Sequence, residues 1–329
     1  MKTRTKFVFS SATPLADGAD WLLLVVPGLI WGASFLFIAE GMRSVGPNGV
    51  TFVRIFVGFA TLSLFAAARG PVMRSDWTGI AGLGVLWLAF PLSMFPFAEQ
   101  HVSSALTGML NGANPLFTAI VAAVIAGRAP GRLVMAGVAM GMAGTVLIAL
   151  PTIGEGRNSV AGVGMIVAAL ISYGFALNIA RPLQQRNGAL PVIWRAQMIA
   201  LVLTAPLGVP DMIAAHWKPA PVAALIALGA MGTGVAHVVM SVAAGRLGAT
   251  RASGTTFLIP AVALFLGVAV RGERVAPLSV AGSMVCIAGA WLMRRARKSP
   301  SHREASDALS QQLAPRAPRL GSPDFQECK

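Results

Sequence analysis

The sequence predicts an all-α polytopic membrane protein of ten transmembrane helices, arranged as two inverted five-helix repeats with both termini in the cytoplasm. Three observations carry this. The chain is 55% hydrophobic and only 12% charged, and its apolar runs are too long and too many for a globular core. Ten runs approach the roughly 20 residues that a helix rising about 1.5 Å per residue needs to cross a hydrocarbon core of about 30 Å. Finally, a shift of 145 residues lays the end of the chain onto its middle.

The spans run approximately over 20–40, 47–68, 77–97, 102–126, 131–150, 160–181, 189–209, 220–243, 250–270 and 276–294. None shows the alternating polar pattern of a membrane barrel. Residues 1–19 are basic but hold no apolar stretch before Trp21, so the first span reads as a retained anchor rather than a cleaved signal. The second opens at Pro47 and carries Arg54; the third carries Pro91 and Pro96, and only Ala98–His101 separates it from the fourth. The fourth holds Asn111, Gly112, Asn114 and Pro115, and the fifth is glycine-rich between Leu133 and Leu147. In the other half, the sixth span holds Tyr173 and Asn178, the seventh Pro191, Arg195 and Pro206, and the eighth Gly229, Gly232, Gly234 and His237. The ninth places Gly254, Thr255 and Thr256 before Pro260, and the tenth ends in a basic cluster at Arg294. Residues 296–329, with four prolines among Ser, Gln and mixed charges, read as a disordered cytoplasmic tail.

The shift of 145 superimposes Pro115 on Pro260, Gly127 on Gly272, Gly137 on Gly282 and Gly144 on Gly289, while a shift of 142 superimposes Gly32 on Gly174. Prolines and glycines, the residues with backbone meaning, are the ones that coincide. The units are therefore 20–150 and 160–295. Five spans per unit is an odd number, so the second copy enters the membrane from the other side. With the N-terminus inside, fifteen Lys and Arg flank the spans on the cytoplasmic side and five on the outer side. The net charge of +14 then reflects topology and anionic lipid rather than nucleic acid.

Charged and polar residues inside the spans supply the candidate chemistry. Arg54 lies seven residues past Pro47, about 10 Å of helix, and either snorkels to the headgroups or faces the interior, where its fork of donors suits a carboxylate. Arg195, four past Pro191 in the counterpart helix, has the same two readings. Pro115 and Pro260 are expected to kink their spans, freeing carbonyls near the midplane beside Asn111, Asn114 and Thr256. Trp31, Ser34, Tyr173 and Asn178 join the cavity candidates, although lipid contact or packing is the first reading for any one aromatic. His237 reads either as a helix-to-helix hydrogen-bond donor or as a proton relay. All twelve acidic residues lie outside the span centres, Glu40 and Glu99 at span ends, which favours a neutral, zwitterionic or anionic solute over an organic cation.

The runs Ile30-Trp31-Gly32-Ala33-Ser34-Phe35, Phe52-Val53-Arg54 and Asn114-Pro115-Leu116-Phe117, the glycine-rich fifth span, and Ile259-Pro260-Ala261 through Gly272-Glu273-Arg274 with Gly282 and Gly289 resemble the EamA-type domain of the drug/metabolite transporter superfamily. The resemblance spans residues 20–295. It implies a central cavity between two inverted repeats and alternating-access export of small metabolites such as amino acids or nucleobases. One departure is Arg128, where the second copy has the family's acidic residue, Glu273. The expectation is a secondary transporter of the bacterial inner membrane with a small-molecule substrate, a lipid bilayer around it, no nucleic acid partner and no cofactor or metal; a homodimer is possible. A membrane-embedded enzyme lacks a coherent catalytic cluster, since His101, His216 and His237 fall on different segments. A noncatalytic receptor or assembly subunit is the remaining alternative.

Overall fold

A computed structural model describes residues 18–153, 157–247 and 253–296, so the expected N-terminal segment and C-terminal tail lie outside the described residues. The described residues are helical, with no strand among them. We number the helices α1 (Gly18–Gly41), α2 (Pro47–Ser63), α3 (Arg74–Glu99), α4 (Ser104–Asn111), α5 (Asn114–Ala126) and α6 (Arg132–Ile153). The remainder are α7 (Arg157–Asn187), α8 (Ala189–Ile213), α9 (Pro219–Ala244), α10 (Leu258–Arg271) and α11 (Pro277–Ala296). Six of these, α1, α3, α6, α7, α8 and α9, are long and apolar enough to cross a membrane, and α4 with α5 makes a seventh if the bent pair is one span. The protein is an all-helical polytopic membrane protein.

The prolines differ from expectation in an instructive way. Pro115 and Pro260 do not kink the interior of a helix. Pro115 is the second residue of α5, after a 41° break at Gly112–Ala113, and Pro260 is the third residue of α10, after the 3-10 turn Ser253–Phe257. In a first turn the N–H has no intrahelical acceptor, so proline's missing donor costs little. Both helices then end alike: Gly127 and Gly272 take left-handed φ of 60° and 66°. Arg128 N–H reaches back to Ala123 C=O at 3.3 Å, closing a Schellman turn, while Gly272 N–H bonds Val268 C=O at 3.1 Å and Glu273 N–H bonds Gly267 C=O at 3.0 Å, closing a turn one residue wider. Conversely, α7 continues to Asn187 through Pro182, and α8 to Ile213 through Pro206 and Pro210, well past the expected ends.

Positions 145 apart also meet similar surroundings. A Cβ on Gly144 would lie 2.6 Å from Gly282 C=O, and one on Gly137 would lie 2.8 Å from Gly289 C=O. Because Gly137 superimposes on Gly282 and Gly144 on Gly289, these two contacts are one contact with the partners exchanged. They bring α6 and α11 backbone to backbone, where lipid gives helices no hydrophobic reason to associate and close van der Waals approach replaces it. The same exchange relates Gly32, packed on Val262 of α10, to Gly174, packed on Phe117 and Val121 of α5.

Polar ties close the two ends of the bundle. At one end, Asp76 accepts from Arg186 at 2.7 Å and Asn187 at 2.6 Å, and Arg246 pairs with Asp20 at 3.2 Å. We call this the basic end. At the opposite end Glu273 accepts from the backbone N–H of Ser104 (3.1 Å) and Ala105 (2.8 Å) and from Ser104 Oγ (2.6 Å), capping the first turn of α4 from a distant loop. Glu273→Ala is expected to cost about 1–2 kcal/mol, the range for a lost N-cap, read as a lower midpoint of thermal unfolding in detergent.

Candidate substrate cavity

Two interior features build the site. The first is a pair of π-helical segments, Gly84–Ala89 within α3 and Leu228–Val235 within α9. A π segment lengthens the hydrogen-bond step to i→i+5 and misaligns nearby carbonyls, which then need other donors. Here side chains from other helices supply them. Trp31 Nε1 donates to Gly232 C=O at 2.9 Å, Gln197 Nε2 to Thr233 C=O at 2.7 Å, and Ser172 Oγ to Leu86 C=O at 2.7 Å. The second feature is the register of α2. It buries Arg54 to 7% exposure and brings Nε within 3.0 Å of Thr233 Oγ1. Of the two readings open to the sequence, Arg54 takes the interior one.

Around these features lies a cavity of about 420 Å³. Its walls are largely aromatic. The rings of Trp31 and Trp87 stand edge-on to His237 at 5.7 and 5.8 Å, and at the end away from the basic loops Phe95 contacts Phe35 at 5.6 Å and Tyr173 at 6.0 Å. The cavity extends in the other direction to Gln184, Ala189 and Ala244, at the basic end. Among the described residues that line it, Arg54 is the only Lys or Arg, and none is Asp or Glu. Asn111 Oδ1 is buried with no hydrogen-bond partner among the described residues. Such a chamber can pair one negative group against Arg54 while enclosing an apolar body. Its described lining holds nothing to neutralise a second cation.

Of the residues singled out from sequence, Trp31, Ser34, Arg54, Asn111, Asn114, Tyr173, His237 and Thr256 line this cavity. Four do not. Pro115 and Pro260 adjoin Asn114 and Ile259 but shape backbone rather than lining, and Asn178 joins α7 to α5 by donating to Thr118 C=O at 3.2 Å. Arg195 bonds Pro191 C=O at 3.2 Å and lies over the rings of Trp77 and Trp194, 5.8 and 5.5 Å away. The two helices pair, α2 with α8, but the two arginines are one position out of register. Gly84 packs on Ile199 and Ala196 C=O, and Gly229 on Val57 and Arg54 C=O, so Arg54 corresponds to Ala196 at a shift of 142. One residue is about 100° of helix, which turns Arg195 away from the cavity.

Sequence reasoning missed Trp87, Phe95, Thr233, Gln197 and the buried carboxyl of Glu99. Gln197 and Thr233 offered one signal: both are polar residues inside apolar spans, and a polar residue at membrane depth needs a partner. Trp87 and Phe95 offered none, because apolar aromatics fit lipid equally well.

The chain matches the EamA-like transporter family twice, over residues 20–150 and again over 160–295. It belongs to the EamA-like transporter family. Among its relatives is a probable terminal-alkyne amino-acid exporter of Streptantibioticus cattleyicolor, 29% identical over 296 residues that cover 88% of this chain and 97% of the relative. A Bacillus subtilis transporter, YdfC, is 25% identical over 79% of this chain and 86% of its own length. A solved crystal structure shares the fold, with a TM-score of 0.57 at 19% identity across 82% of this chain and 98% of its own. This EamA protein is thus a multi-pass membrane transporter rather than an enzyme.

Proposed function

We propose that this EamA transporter resides in the bacterial inner membrane and exports a small neutral, zwitterionic or anionic metabolite, an amino acid or related solute, by alternating access. One observation carries the substrate class: Arg54 stands as a fixed cation in an aromatic cavity with no carboxylate among the described lining residues. The exporter named for a terminal-alkyne amino acid supports the same class, since its named solute joins an amino-acid head to an apolar tail. For topology we propose ten spans in two inverted repeats, counting α4 with α5 as one and including the shorter α2, α10 and α11. The exchanged glycine contacts 145 residues apart support a twofold relation between the halves. Both termini are then cytoplasmic, the basic end faces the cytoplasm, and the cavity opens inward, ready to load a solute for export.

The test is counterflow into proteoliposomes preloaded with unlabelled solute. L-leucine, L-phenylalanine and L-propargylglycine should exchange, whereas L-lysine and the decarboxylated amine of phenylalanine should not. Exchange of the amines in preference to the amino acids would overturn the reading.

A further inference from the structure

Glu99 closes α3 one helical turn beyond Phe95, on the side of the aromatic cluster away from the basic end. Neither carboxyl oxygen is exposed to solvent, and no described residue donates a hydrogen bond to either. A buried carboxyl group without donors is costly and calls for a partner. The charged groups that act on it are Glu273, Arg271 and Arg54. Arg271 is already paired with Glu273 at 3.2 Å, and Glu273 is occupied in capping α4. Elsewhere on the flanking helices, Glu40 on α1 is paired with Arg43, and α7 presents Tyr173 to Phe95. That leaves Arg54, whose guanidinium bonds Thr233 through Nε and forms no ion pair among the described residues. A buried cation and a buried carboxyl thus sit on neighbouring helices, α2 and α3, each without its natural partner, with Phe95 one turn before Glu99 in the cavity wall.

We propose that Glu99 is the internal counterion of Arg54, taking the guanidinium when the substrate's carboxylate leaves. The inference rests on the export reading above. In the inward-open state the layer of Phe35, Phe95 and Tyr173 is closed, so Arg54 is free to take a carboxylate from the cytoplasmic cavity. Opening the opposite end parts that layer, and Glu99, positioned on the exit side, competes for Arg54 and displaces the departing solute. The Arg54–Glu99 pair then carries the empty site back without an uncompensated buried charge. No bond is made or broken beyond the exchange of one carboxylate for another. Glu99 acts as a positioning residue for release.

The experiment measures export kinetics of L-leucine, L-phenylalanine and L-propargylglycine in proteoliposomes for wild type, Glu99→Gln and Glu99→Asp. Glu99→Gln removes the competitor, so kcat and KM should fall together, each by about tenfold, because bound solute is released slowly. Glu99→Asp keeps the charge and should lie between. Unchanged kinetics, or a raised KM in Glu99→Gln, would overturn the proposal. If wild type moves none of the probes, the export reading fails by itself. The ion pair is then judged by a double-mutant cycle of thermal unfolding over Arg54→Gln, Glu99→Gln and both. A coupling between the two sites supports the pair, and additivity rejects it. The same cycle decides the matter if Glu99→Gln folds poorly.

Discussion

Arg54→Ala is expected to raise the KM for an amino-acid substrate by about 10- to 100-fold, the equivalent of the ~1.5–3 kcal/mol of a hydrogen bond to a charged group. Arg54 is the one fixed charge among the described residues of the cavity wall, so none of them replaces it. Its partner provides an internal scale. Thr233→Val removes a neutral hydroxyl from the 3.0 Å contact with Nε and leaves the charge in place, so its effect should stay within about 1–2 kcal/mol. Arg54→Lys should fall between, since an ammonium keeps the charge but loses the planar fork. Kinetics in proteoliposomes check all three, with elution as a monodisperse peak as the folding control. An unchanged KM in Arg54→Ala would mean that the guanidinium serves packing alone.

The second large effect concerns folding. Gly144→Val is expected to abolish the folded protein, because its Cβ would sit 2.5 Å from Cys286 N and 2.6 Å from Gly282 C=O. Both obstacles are backbone atoms, so no rotamer change relieves them and α6 must separate from α11. Overpacking by side chains alone costs about 1–3 kcal/mol, and backbone obstruction exceeds that range. Gly82→Ala and Gly164→Ala are the matched controls, since a Cβ there meets nothing within 4 Å. Size-exclusion profiles in detergent should lose the folded peak for Gly144→Val and keep it for both controls.

These outcomes depend on facts of unequal legibility in the sequence. The left-handed glycines at 127 and 272 and the prolines at 115 and 260 were legible because backbone demands recur wherever a unit is repeated. Their local meaning was harder to read. A proline signals a missing donor, but whether it bends a helix or starts one depends on the break before it, and Asn111-Gly112-Ala113 does not resemble Ser253-Gly254-Thr255. Arg54 shows the same limit at the site. Its depth follows from a count of residues, whereas the direction in which it points follows from which face of α2 meets α9. Glu99 was read as peripheral for that reason: sequence fixes height along a span better than the angle around it. The π segments were invisible, because the glycines of Leu228–Val235 signal close helix packing as readily as a π turn, Gly84–Ala89 carries a single glycine, and the donors that meet their carbonyls sit on α1, α7 and α8.

The most direct measurement is side-specific labelling of a cavity cysteine. With Cys286 and Cys328 replaced by serine, Ser241→Cys places a single thiol in the lining toward the basic end. A membrane-impermeant maleimide should modify it in inside-out vesicles and not in right-side-out vesicles, and saturating L-leucine should slow the reaction. Labelling from the outer face alone, or labelling indifferent to every amino acid tested, would contradict an inward-open cavity that carries solute out of the cell.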